Sequence, residues 1–130
     1  MSEAKKLLYL RDEIEEIRRT SQELNIPFKA IFDCLYNGKF VKLTDDIWSH
    51  LENTDSYQIT GFDDVAKLSG QYERDWARIW HGMTKNDDIP PPIVIQLEPD
   101  RYYLIAGNTR LMVSRAMKRR PVILLGRLNR

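Results

Sequence analysis

The stretch that decides the fold spans residues 89–128 and reads IPPPIVIQLEPDRYYLIAGNTRLMVSRAMKRRPVILLGRL. After the prolines Pro90, Pro91 and Pro92 comes Ile93-Val94-Ile95-Gln96-Leu97, short and β-branched, which is strand composition. Glu98-Pro99-Asp100-Arg101 supplies turn residues, and Tyr102-Tyr103-Leu104-Ile105 then completes a β-hairpin. The second strand runs directly into Ala106-Gly107-Asn108-Thr109-Arg110. Leu111, Met112, Ala116 and Met117 mark a helix that Pro121 forbids from continuing, and Val122-Ile123-Leu124-Leu125 forms a last buried strand.

Chemistry concentrates where the second strand meets the helix. A helix N-terminus offers unpaired N–H groups and a positive dipole end to an anion. Gly107 lets the backbone turn sharply and approach a ligand closely. Asn108 or Thr109 can cap the helix, and Arg110 lies in its first turn, where the dipole disfavours a cation unless an anion is nearby. Two readings stand side by side: an anion site at Gly107, Asn108, Thr109 and Arg110, or a capped helix whose Arg110 pairs with an acid of the body.

Upstream of residue 84 the apolar period is helical. Leu7, Leu10, Ile14, Ile17 and Leu24, with Ser21 in the vacant slot, step by threes and fours as a heptad seam, predicting one helix over about residues 3–24 with a charged back. The seam needs a partner, either the rest of the domain or the same helix of a second chain, a homodimer through Leu7, Leu10, Ile14 and Ile17. Asn25 and Pro27 end this helix. Phe28, Ile31, Phe32, Leu35 and Tyr36 make a second, stopped by Asn37-Gly38. Thr44 reads as the N-cap of a short helix through Ile47, Trp48 and Leu51. A polar, turn-rich loop over 53–61 follows, then helical stretches with Phe62, Val65 and Leu68 on one face and with Tyr72, Trp76, Ile79, Trp80 and Met83 on another. Strands are expected almost entirely after residue 90. The chain divides into a helical region over 1–60 and an α+β unit over 61–130.

Composition bounds the rest. A chain of 130 residues, 42% hydrophobic and 30% charged, with six Gly and six Pro, fits one compact domain with an appendage and is neither collagen-like nor disordered. No apolar run approaches the roughly 20 residues of a membrane span and the N-terminus has no signal-peptide core, so a soluble cytoplasmic protein is expected. A lone Cys34 with only His50 and His81 leaves no disulfide framework and no zinc-ligand spacing. The net charge of +1 hides an asymmetry: residues 101–130 carry eight Arg/Lys and no acid, leaving 12 bases and 19 acids in the first 100. Such a basic end, with Arg110, Arg115, Lys118, Arg119 and Arg120 on or after one helix, is either a nucleic-acid surface or neutralised within the fold.

The order strand, turn, strand ending in Ala-Gly, Gly-x-x-Arg helix start and closing strand resembles the ParB/sulfiredoxin superfamily. The resemblance covers 89–128 best and the helix over 62–68 more loosely. It implies an α+β fold with a small mixed sheet, and a phosphate-binding segment at Gly107 to Arg110. In ParB-type domains the segment Gly-Glu-Arg-Arg binds the phosphates of CTP. Gly107 and Arg110 match its ends, whereas Asn108 and Thr109 replace the acid and the other Arg. In sulfiredoxins the segment carries a nucleophilic Cys where Asn108 stands here, so sulfiredoxin chemistry is excluded, and Cys34 lies in a different element. Other members act as free-serine kinases or are labelled nucleases, so the fold does not fix the activity. The ParB DNA-reading helix-turn-helix is not expected within these residues.

These readings give three hypotheses. The first is a nucleotide- or phosphate-binding protein, a phosphotransferase or nucleotide hydrolase if a nucleoside triphosphate with Mg2+ and a base are supplied; Asp63, Asp64, Glu73, Asp75, Asp87 and Asp88 are the candidate acids. The second is a nucleic-acid-binding protein using Arg115, Lys118, Arg119 and Arg120. The third is a degenerate interaction module, an adaptor of the size of a phage or plasmid accessory protein.

Overall fold

Alternation along three adjacent strands sets the layering. The structure, a computed structural model, describes residues 3–54 and 90–128. Its elements are α1 (Glu3–Asp12), α2 (Ile14–Leu24), α3 (Phe28–Tyr36), β1 (Lys39–Lys42), α4 (Asp45–Ser49), β2 (Leu51–Glu52), β3 (Ile93–Glu98), β4 (Arg101–Ala106), α5 (Asn108–Ala116) and β5 (Val122–Arg127). The fold is α+β, with helices around a mixed five-stranded sheet of order β1-β5-β3-β4-β2. β3 pairs antiparallel with β4 and parallel with β5; β1 is antiparallel to β5, and β2 parallel to β4.

Side chains alternate across a strand, so neighbouring residues feed opposite faces. Ile93, Ile95 and Leu97 of β3, Tyr103 and Ile105 of β4 and Leu124 of β5 meet Leu10, Ile17, Ile26, Ile31 and Leu35 from α1 to α3. Val94, Tyr102, Leu104, Ile123 and Leu125 point the other way, against Leu43, Ile47, Trp48, Leu51 and Leu111. Burial on both faces explains why β3 and β5 read as continuous apolar runs rather than alternating ones.

Strands also form before residue 60, contrary to the expectation from the sequence. β1 joins β5 with Lys39 opposite Leu125 and Lys42 opposite Val122. Its four residues are too short for a periodic signal. Its position depends on Gly38, where an added Cβ would stand 2.5 Å from the Leu125 carbonyl oxygen. β2 is held against β4 by Arg101, whose Nε and Nη2 donate to the Glu52 carboxylate at 2.8 and 3.2 Å. The sheet therefore draws strands from both the first 60 residues and the last 40.

The expected single helix over 3–24 is two. The chain leaves helical geometry at Glu13 (φ −112°, ψ 21°), between α1 and α2. Leu10 and Ile17 are fully buried in the chain's own core, whereas Leu7 is 47% exposed. The seam is thus not one continuous surface for a second copy: the turn at Glu13 commits two of its residues to the core and leaves Leu7 outside. The helical stretches expected over 62–68 and 72–83, and the six candidate acids Asp63, Asp64, Glu73, Asp75, Asp87 and Asp88, lie outside the described residues. Among the described residues no helix is long and apolar enough to cross a membrane.

Lys6 is 6% exposed, an unusual place for an ammonium group. It is satisfied by the end of α3, donating to the carbonyl oxygens of Tyr36 and Gly38 at 2.9 Å each, and by Glu3 at 3.2 Å. One side chain of α1 thereby closes the C-terminus of α3, where carbonyls lack helical partners. Lys6→Met would orphan both carbonyls, and is expected to lower unfolding free energy by about 1.5–3 kcal/mol in urea titrations. An unchanged midpoint would contradict this assignment.

Candidate functional site

β4 ends at Ala106, and the next residue turns the chain into α5. Gly107 has φ +99°, ψ 23°, and stands at the N-cap position with no side-chain cap. A Cβ there would lie 2.7 Å from Pro92 Cα, so glycine is required both for the left-handed backbone and for the close passage of the proline segment. Contrary to the expectation from the sequence, neither Asn108 nor Thr109 caps the helix, because α5 already begins at Asn108 and Gly107 holds the N-cap position. Asn108 Oδ1 instead accepts a hydrogen bond from Thr54 Oγ1 at 2.6 Å. Asn53, at φ 63°, donates through Nδ2 to the Leu104 carbonyl at 2.9 Å. Residues 53 and 54 are thereby pinned beside the helix start.

The four predicted residues Gly107, Asn108, Thr109 and Arg110 line one cleft of about 710 Å³, together with Asn53, Thr54, Glu13, Glu16 and Arg19. Arg110, whose side chain is 13% exposed, is engaged within the protein. Its Nη1 donates to the carbonyl oxygens of Pro90 at 2.5 Å and Pro91 at 3.2 Å, and its Nη2 lies 3.3 Å from Glu13 Oε1. The cation thus has a carboxylate partner 97 residues away in the chain. Burial pushes the Glu13 carboxyl above its ordinary value, with Glu16 and Asp12 adding to the rise and Arg110 opposing it. Arg19 faces Glu16 at 3.3 Å on the same wall.

The basic residues of the alternative reading gather at a second place. Arg115, Lys118, Arg119 and Arg120 line a groove of about 500 Å³ with Asp45, Trp48 and Ser49. The Arg115 guanidinium carbon lies 4.1 Å from the centroid of the Trp48 ring and that of Arg120 lies 5.5 Å from it, two cation–π contacts on one buried indole. Arg120 also pairs with Asp45. Lys118 and Arg119 are exposed. Part of the basic segment is therefore neutralised and packed within the fold, and part faces outward.

Cys34 lies apart from both places, in α3, lining a cleft of about 610 Å³ with Asp33, Asn37, Lys39, Leu125 and Arg127. Burial, helped by Asp33, pushes its thiol up to about 11, so the nucleophilic thiolate is scarce at neutral pH. Among the described residues no group of three or more His, Cys, Asp or Glu side chains could hold a metal ion. Among the described residues, Glu13 and Glu16 are the carboxylates lining the Gly107 cleft, and each faces an arginine.

No protein-family model matches the chain, and neither a curated protein nor a solved structure matches it significantly. The site rests on its own geometry. Glu13, Arg19, Asn53 and Thr54 were not singled out for a site by their sequence. Glu13 is one of several acids on a charged helix back, and only the fold places it against Arg110. Gly107→Ala is expected to destabilise the protein by at least about 1–2 kcal/mol, since the left-handed backbone alone costs that much and the Pro92 contact adds to it. Denaturation with an unchanged midpoint would show that the turn is not as tight as described.

Proposed function

We propose that the chain binds a phosphorylated ligand, a nucleotide foremost, with its phosphates at Gly107, Asn108, Thr109 and Arg110, in a domain of ParB/sulfiredoxin type. The observation that carries this reading is the left-handed Gly107, which brings β4 sharply into the N-terminus of α5 beside a cleft bearing Arg110 and Arg19. The positive end of the helix dipole, amides close to the turn and two guanidinium groups suit an oxyanion better than a neutral or cationic ligand. The cleft holds no cysteine, and Glu13 and Glu16 face arginines, so binding has firmer support than a phosphotransfer or hydrolytic step.

A second reading has its own observation. Trp48 fixes Arg115 and Arg120 at one edge of a basic groove in which Asp45 is the one acid among the described residues, with Lys118 and Arg119 exposed beside it. This arrangement fits the phosphate backbone of a nucleic acid, with contacts that position rather than read bases. Trp48 is itself buried beneath Arg115, so this indole is not a platform for base stacking.

Calorimetry with a panel of nucleoside triphosphates, with and without magnesium, separates the two. Arg110 is a structural tie as well as a candidate ligand, so Arg110→Ala costs stability in addition to affinity, and the cleaner probe is the exposed Arg19. Arg19→Ala is expected to lower triphosphate affinity roughly 3- to 10-fold with an unchanged melting temperature. Heat from no nucleotide, together with duplex DNA binding that is lost in Lys118→Gln/Arg119→Gln, would replace the first reading with the second.

A further inference from the structure

The Gly107 cleft already contains an anion, the carboxylate of Glu13. Its hold on Arg110 is a single contact at 3.3 Å, not the two-bond fork an arginine makes with a well-placed carboxylate. The other terminal nitrogen of Arg110 is held separately by the carbonyls of Pro90 and Pro91. The guanidinium therefore keeps its place whether or not Glu13 stays. Glu13 itself sits in the joint between α1 and α2, outside both helices, and its side chain can swing without breaking a helical ladder.

We propose that Glu13 is an internal competitor for Arg110: its carboxylate occupies the guanidinium until a ligand of higher negative charge displaces it, so that Glu13 sets the charge selectivity of the cleft. The inference rests on the anion reading of that cleft. Exchanging one monoanion for another gains no Coulomb energy at Arg110, whereas a dianion leaves a net gain. The site thus rejects simple carboxylates and accepts phosphate-like groups.

The charged groups around Glu13 among the described residues are Asp12 from α1, Glu16 and Arg19 from α2 and Arg110 from α5. Among these groups Arg110 pulls its carboxyl down; burial, Glu16 and Asp12 push it up. When a dianion takes Arg110, Glu13 loses that one favourable contact and gains a negative neighbour, so its affinity for a proton rises. Binding is then accompanied by proton uptake, and linkage makes it tighten as pH falls.

Sulfate is the probe, because it stays dianionic across the working range, and acetate is the monoanionic comparison. Titrations at constant ionic strength are made on the wild type, Glu13→Gln, and Glu15→Gln, which changes net charge equally at an exposed position away from the cleft. Glu13→Gln is expected to bind sulfate roughly 5- to 30-fold more tightly than the wild type and Glu15→Gln, and to bind acetate as well. The wild-type affinity for sulfate is expected to rise between about pH 8 and about pH 5, and that of Glu13→Gln to stay flat. If the wild type binds sulfate and Glu13→Gln binds it no more tightly, the competitor role is overturned while the anion site stands. If none of the three binds sulfate, the anion site itself fails and the inference falls with it.

Discussion

One guanidinium joins three parts of the chain that are far apart in sequence. Arg110 reaches from the first turn of α5 to the two carbonyls that lead into β3, and to the carboxylate at the joint of α1 and α2. A cation in the first turn of a helix opposes the helix dipole, and the protein compensates with three acceptors around one planar group. The break between α1 and α2, the path of the prolines over Gly107 and the shape of the cleft all meet at this side chain.

The apolar architecture makes such a polar junction tolerable. Both faces of the sheet are buried, α1 to α3 on one and α4 with α5 on the other, so the strand ends that frame the junction are held by packing rather than by the ion pair. Glycine at two positions lets backbones meet closely, at Gly38 beneath β5 and at Gly107 beneath Pro92. The described segments 3–54 and 90–128 also converge there: Thr54 bonds to Asn108 and Pro90 to Arg110, so Thr54 and Pro90 both meet the start of α5.

The hairpin, the helix after Gly107 and the last strand were legible in the sequence, because β-branched runs, turn residues and Pro121 punctuate them clearly. So were the αL stop at Asn25 and the Thr44 cap, which are local devices. Non-local features were not. β1 and β2 are too short to show a period, and their strand character comes from partners more than 45 residues away. The heptad pattern described which residues face inward at Leu10 and Ile17 but not the turn between them, which falls at Glu13, a residue whose side-chain partner is 97 residues distant. At the site, Gly107 and Arg110 stood out by their types and spacing. Glu13 did not, because an acid on a charged helix back looks the same whether it is solvated or buried against a cation.

The function proposed for the Gly107 cleft requires that the start of α5 receive an anion. The most direct measurement is an amide-resolved NMR titration of the intact chain with a nucleoside triphosphate. The largest shifts are expected on Gly107, Asn108, Thr109 and Arg110, with Glu13 moving in step. Shifts centred instead on Arg115, Lys118, Arg119 and Arg120, or none at all, would contradict it.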